Sequence, residues 1–172
     1  MKKITQLAFL LAGLSFSCKK SNSSTSFHLT ATIDGKAETF NVNLTATRVG
    51  ANVFFSGASS ATASSDEALL FALIGSSRQP SFTVGSYQDT ASSFDVQATY
   101  RQTLASQYEA GSPTAGTALS TGTIITNHFT LVITAIDSVS IKGSFSGDYF
   151  LDGNPGNAKK TITNGDFYAK FH

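Results

Sequence analysis

The chain has 172 residues, with 12 Lys and Arg against 11 Asp and Glu, and charged side chains make up only 13% of it. So sparse and balanced a charge leaves no basic stripe for nucleic acid and no acidic block. The single cysteine excludes an internal disulfide and a thiolate zinc cluster, whereas 14 Phe and a 41% hydrophobic content give one domain a full core.

The first 17 residues read as an export signal. Met1-Lys2-Lys3 is a positive n-region, residues 7–14 (LAFLLAGL) are an apolar h-region, and Ser15-Phe16-Ser17 is a short c-region. The lone Cys18 follows directly, at the position that signal peptidase II exposes and lipidates. Residues 1–17 are therefore read as a lipoprotein signal peptide, and Cys18 as the acylated residue that tethers the protein to a membrane. The competing reading is an ordinary secretory signal that leaves Cys18 as a free thiol, which an oxidising compartment disfavours. An apolar run of eight residues falls short of the roughly 20 needed to span a bilayer. The segment resembles the relaxed lipobox of Bacteroidota lipoproteins, although Ser15 stands where the stricter pattern has leucine. That resemblance implies an outer-membrane location, since Lys19, not Asp, follows the cysteine; the side the domain faces is left open. Loss of Lys2 and Lys3 with the signal leaves 10 basic and 11 acidic side chains, a net charge of −1.

Residues 18–26 hold Cys18 and an apolar-free tether (KKSNSSTS). From Phe27 the pattern has period 2, the mark of half-buried strands. Phe27, Leu29, Ala31 and Ile33 alternate with polar residues, Asp34-Gly35 supplies a hairpin turn, and Phe40, Val42 and Leu44 return. Val53 to Ser56 is a short strand, and residues 56–66 are a loop. Residues 69–74 (LLFALI) are apolar on both faces and predict a central strand covered on both sides. Phe82, Val84 and Tyr87 predict another strand after Pro80; Phe94, Val96, Ala98 and Tyr100 the next. Tyr100, Leu104 and Tyr108 are spaced for one helical turn, and residues 111–116 (GSPTAG) read as loop. Phe129, Leu131 and Ile133 form a strand that turns at Asp137-Ser138 and returns through Val139, Ile141, Gly143 and Phe145. Residues 152–157 (DGNPGN) are a turn cluster, and Ile162, Phe167, Ala169 and Phe171 mark the closing strand. Eight to ten short strands over residues 27–172 predict one all-β domain, an antiparallel β-sandwich or a calycin-like small barrel.

Three stretches carry a wider resemblance: Ala31-Thr32-Ile33-Asp34-Gly35-Lys36 with Phe40; Gly85-Ser86-Tyr87; and residues 139–147 (VSIKGSFSG) followed by residues 162–167 (ITNGDF). In this order and spacing the chain resembles a family of uncharacterised Bacteroidota lipoproteins. The resemblance implies a calycin-like or sandwich-like domain on a lipid anchor, and no activity, cofactor or site residues. Gly143, Gly147 and Gly165 are expected to mark bulges or close backbone approach.

Chemistry-bearing residues are scattered. His28, His128 and His172 have no second ligand at metal spacing. No G-x-S-x-G elbow occurs, and Gly75-Ser76-Ser77 and Gly111-Ser112 read as loops. Asp66-Glu67, Asp148, Asp152 and Asp166 show no pairing of the kind a glycosidase needs. Asp152, Asn154 and Asn157 offer oxygen ligands for calcium, but without EF-hand spacing. Tyr87, Tyr100, Tyr108, Tyr149 and Tyr168 are candidates for a sugar-stacking face. Asp89-Thr90-Ala91 and Asp137-Ser138-Val139 resemble the Bacteroidota O-glycosylation sequon, with Thr90 and Ser138 as acceptors. The sequence thus predicts a non-enzymatic envelope lipoprotein with a binding or structural role. Its partners are the membrane, through Cys18, and a glycan or another envelope protein, with no nucleic acid and no cofactor. The alternatives are a glycan- or small-ligand-binding lipoprotein and an envelope hydrolase.

Overall fold

Alternation of apolar and polar side chains cannot be buried by isolated strands, so the chain rolls its strands into one sheet with the apolar faces inward. The computed structural model describes residues 26–60, 67–75, 81–90 and 94–172; the signal, Cys18, most of the tether, Asp66, Ser76-Ser77, Pro80 and Ala91 lie outside them. Strands β1 (His28–Ile33) and β2 (Lys36–Thr39) form the expected hairpin about Asp34-Gly35, whose φ angles are +48° and +85°. There follow β3 (Val42–Val49), β4 (Asn52–Ala58), β5 (Ala68–Gly75), β6 (Gly85–Gln88), β7 (Phe94–Thr103) and β8 (Ser106–Gly111). A helix, α1 (Ser112–Thr121), precedes β9 (Thr130–Ile136), β10 (Ser140–Leu151) and β11 (Lys159–Lys170).

The fold is all-β and antiparallel, as the alternation predicts. Among the described residues eleven strands form one sheet in the order β2-β1-β11-β10-β8-β7-β5-β4-β3, and β9, paired with β10, carries β6 as a branch. The sheet curls strongly into a half-barrel. Its β3 end reaches the end of β11 through a parallel bridge between Ala46 and Phe171, where His172 N donates to Ala46 O at 3.0 Å. The interior is aromatic: Phe55 stacks on Phe71 and Phe167 with ring centroids 4.4 and 4.6 Å away, and Phe145 meets Phe71 edge-on at 4.7 Å. Gly143 and Gly165 make room, since a Cβ at either would lie under 3 Å from the Phe167 or Phe145 ring.

Several local expectations need correction, beginning with Phe82 and Val84, which precede β6 and are not part of it, and with residues 56–58, which continue β4 where a loop is expected. Tyr100, Leu104 and Tyr108 are not a helical turn but the two arms and tip of the β7–β8 hairpin, in which Tyr100 pairs with Tyr108. A spacing of four fits both a helix and one face of a strand, so it could not separate them. Residues 111–116 are not loop: β8 passes directly into α1 at Ser112, with Pro113 in the first turn and Gly122 (φ +70°) closing the helix. The run 69–74 is central in pairing, between β4 and β7, but covered on one face only. Leu70 (42%) and Ile74 (38%) are exposed, beside Phe54 (37%) on β4.

Candidate functional site

The outer face of the sheet is covered where α1 and the segment after it cross β8 and β10. Alternation runs unbroken along β10, so Tyr149 faces inward like Ile141 and Phe145 while Asp148 and Phe150 face outward; the bulge past Phe145 lies in β11, which spends three residues against two of β10. Phe150 packs with Ala115 and Ala118 of α1 and with Ile125, a small core separate from the barrel interior. Residues 127–129 are then drawn tightly over Gly147. Its φ is +146°, and a Cβ there would stand 2.6 Å from Phe129 Cα, so glycine is required on both counts.

Two buried carboxylates pin this crossing. Asp148 accepts from Lys159 Nζ (2.6 Å), Thr161 Oγ1 (2.8 Å) and Asn127 Nδ2 (3.1 Å), while its own N–H donates to Asn127 O at 3.0 Å. Burial pushes the Asp148 carboxyl up. The hydrogen bonds from Lys159, Thr161 and Asn127, with the Lys159 charge, outweigh this and hold it below the ordinary value. Asp89, at the end of β6, accepts from His128 Nδ1 (2.8 Å) through one oxygen and from Phe129 N–H (3.1 Å) through the other. The Asp89 side chain is 2% exposed and that of His128 is 41% exposed, so the pair runs from the interior to the surface.

His128 forms the polar end of a cleft of about 660 Å³ between α1, residues 123–125 and the Asp89-Thr90 turn. Ala115 and Gly116 of α1 and Ile125 line it, and no Lys or Arg borders it among the described residues. Leu119 and Ile124, 86% and 84% exposed, hold large apolar side chains at its mouth. At Gly116 a Cβ would meet nothing within 4 Å, so the helix backbone itself is open to the cleft. Its size lies in the 300–1,000 Å³ range of small-molecule sites, and Thr90, Ser112, Thr123 and the Asp89–His128 pair add polar groups to its apolar walls. A smaller depression of about 280 Å³ around Phe54 and Leu70, on the exposed face of the sheet, has threonine and glutamine at its edges.

The other sequence candidates are placed as follows. Tyr87, Tyr100 and Tyr149 are buried, with Tyr87 Oη bonded to Thr83 N and O, so the five tyrosines do not form one stacking face. His28 is 2.5 Å from Asp166, and His172 ends the chain beside Ala46. Asn154 Oδ1 accepts from Gly156 N and Asn157 Nδ2 donates to Leu151 O, so those amides serve the turn, and no cluster of three metal-ligating side chains occurs among the described residues. Thr90 is exposed at the cleft; Ser138 is exposed in a turn that Asp137 fastens by accepting from Val139 N and Ser140 N. The Asp89–His128 pair escapes a reading of the sequence because its members lie 39 residues apart on different elements. Asp89 follows a strand and His128 precedes one, and nothing local marks either as half of a pair.

No protein-family model, no curated protein and no solved structure matches the chain. Among the described residues no helix is long and apolar enough to cross a membrane.

Proposed function

We propose that the chain is an outer-membrane lipoprotein, held by acyl chains on Cys18, whose β domain binds a small, largely apolar ligand in the cleft under α1 and does not act as an enzyme. The cleft is the observation that carries this reading. Ala, Gly, Leu and Ile supply most of its walls, with the hydroxyls of Thr90, Ser112 and Thr123 among them; its mouth leaves two large apolar side chains in water, and the His128 imidazole held by Asp89 closes its polar end. Exposed Leu and Ile side chains lose contact with water when a ligand covers them, at about 25 cal/mol per Å². A glycan is the weaker ligand, because the cleft has no aromatic platform among its described residues and most of the tyrosines are internal.

The test uses the full chain with Cys18→Ala, so that binding is read in water and not in lipid. Nile red, an uncharged apolar dye, is titrated against this chain and against the same chain with Gly116→Leu. Leucine is a good helix former, and its Cβ finds open space at this position. The unplugged chain should bind the dye saturably, and Gly116→Leu should weaken binding by roughly tenfold or more while leaving the fold intact by circular dichroism. Equal binding by both chains, or no saturable binding, would remove the cleft as a ligand site.

A further inference from the structure

The Asp89–His128 pair restricts what head group the cleft accepts. A carboxylate only accepts hydrogen bonds, and both Asp89 oxygens are already used, one by Phe129 N–H and one by His128 Nδ1. Nδ1 must therefore carry the proton. The neutral imidazole then presents Nε2 as a bare acceptor at the polar end of the cleft, with no partner among the described residues. The orientation is firm, because Asp89 is itself held between Phe129 N–H and its own N–H, which donates to Phe129 O at 3.3 Å. Gly147 lets the 128–129 backbone lie against β10. The hydroxyls of Thr90, Ser112 and Thr123 also line the cleft and can serve either kind of group, but a head placed at His128 meets a bare acceptor, which satisfies a ligand donor and leaves a ligand acceptor unpaired. The absence of Lys and Arg from the described lining disfavours anionic heads.

We propose that the cleft selects uncharged amphiphiles whose polar end is a hydrogen-bond donor, an alcohol in the simplest case, and that His128 Nε2 accepts that hydrogen bond while Asp89 fixes the tautomer that makes it an acceptor. This inference rests on the cleft being a ligand site and adds the chemical class. His128 is the group that touches the ligand, and Asp89 is a positioning residue.

Asparagine at position 89 gives the decisive experiment. Its Oδ1 can still accept from Phe129 N–H, but its Nδ2 then donates to His128 Nδ1. That moves the imidazole proton to Nε2 and turns the acceptor into a donor. Decan-1-ol and decan-2-one share a ten-carbon body, and only the alcohol can donate. Each is used to displace Nile red from the full chain with Cys18→Ala in mildly alkaline buffer. The parent chain should favour the alcohol by roughly threefold to tenfold, the range one neutral hydrogen bond supplies. Asp89→Asn should lose that preference, because an alcohol oxygen and a ketone oxygen both accept from Nε2–H, and His128→Phe should bind both without preference.

Binding of both compounds with equal strength by the parent chain, or an unchanged preference in Asp89→Asn, overturns the selectivity and leaves the cleft as a plain apolar site. Dye binding that Gly116→Leu does not weaken overturns both proposals together. Should Asp89→Asn fail to fold, nitrogen-15 spectra of the parent chain's His128 decide the matter. A protonated Nδ1 and bare Nε2 are expected, and the opposite tautomer removes the acceptor on which the proposal stands.

Discussion

At the scale of single residues, the fold carries two polar groups whose energetics point in opposite directions. Tyr149 is wholly buried, edge-on to Phe129 with ring centroids 5.8 Å apart, and its hydroxyl has no hydrogen-bond partner among the described residues. Burial pushes its pKa well up, because nothing near it compensates the phenolate. An unpaired buried hydroxyl costs about 1–3 kcal/mol, so Tyr149→Phe should hold or raise stability by about 1 kcal/mol in urea unfolding; a loss of that size would mean that the hydroxyl has a partner. Asp148 is the reverse case, with three side-chain donors on one carboxylate. Asp148→Ala should cost about 2 kcal/mol, the value of a charge-assisted group of bonds to a lysine that keeps half its exposure to water. Because the folded carboxyl lies below its ordinary value of about 3.9, its stabilisation is complete above that value and is lost as pH falls through the lower folded value. The urea midpoint should therefore drop on acidification below about pH 4, and Asp148→Asn should drop less; parallel curves would show that the pair contributes nothing to acid stability.

At the scale of elements, the sequence was most readable where one periodicity stood alone. The β1–β2 hairpin announces itself by alternation ending in Asp34-Gly35, and β9 and β10 by Leu131 and Ile133 answered by Ile141 and Phe145. It was least readable at α1, whose sequence SPTAGTALST has one large apolar side chain, no charge and a glycine at its centre. The legible signals were the boundaries, Pro113 in the first turn and Gly122 in the left-handed closing position. A helix so poor in intrinsic propensity is held by Ala115 and Ala118 packing on Phe150 and Ile125. Gly116 adds nothing to that contact and weakens the helix relative to alanine. Gly116→Ala should therefore raise the thermal midpoint by the equivalent of about 0.5–1 kcal/mol. A fall would show that the helix backbone at this position needs room that the open cleft does not provide.

At the scale of the whole molecule, the fold class followed from alternation, whereas the site did not. The candidate cleft joins the end of β6, one side of α1 and the approach to β9, and it exists only after β10 has brought those segments together. No local pattern encodes such a meeting. The proposed lipid anchor has the opposite character, since that reading rests on residues 1–18 alone and owes nothing to the fold. One acyl chain binds a bilayer only marginally, with a constant on the order of 10⁴ M⁻¹, and each buried methylene adds about 0.8 kcal/mol, so two or three chains make release negligible. Lys19 and Lys20 would sit at the headgroups and add about 1 kcal/mol each on an anionic surface. Protein from its native envelope should therefore partition wholly into detergent and carry a diacyl or triacyl mass increment at Cys18. Cys18→Ala should lose both, with the β domain unchanged by circular dichroism. Partition and mass that are the same in both chains would leave Cys18 as a free thiol and the protein as a freely diffusing secreted binder, with the cleft under α1 still to be tested on its own terms.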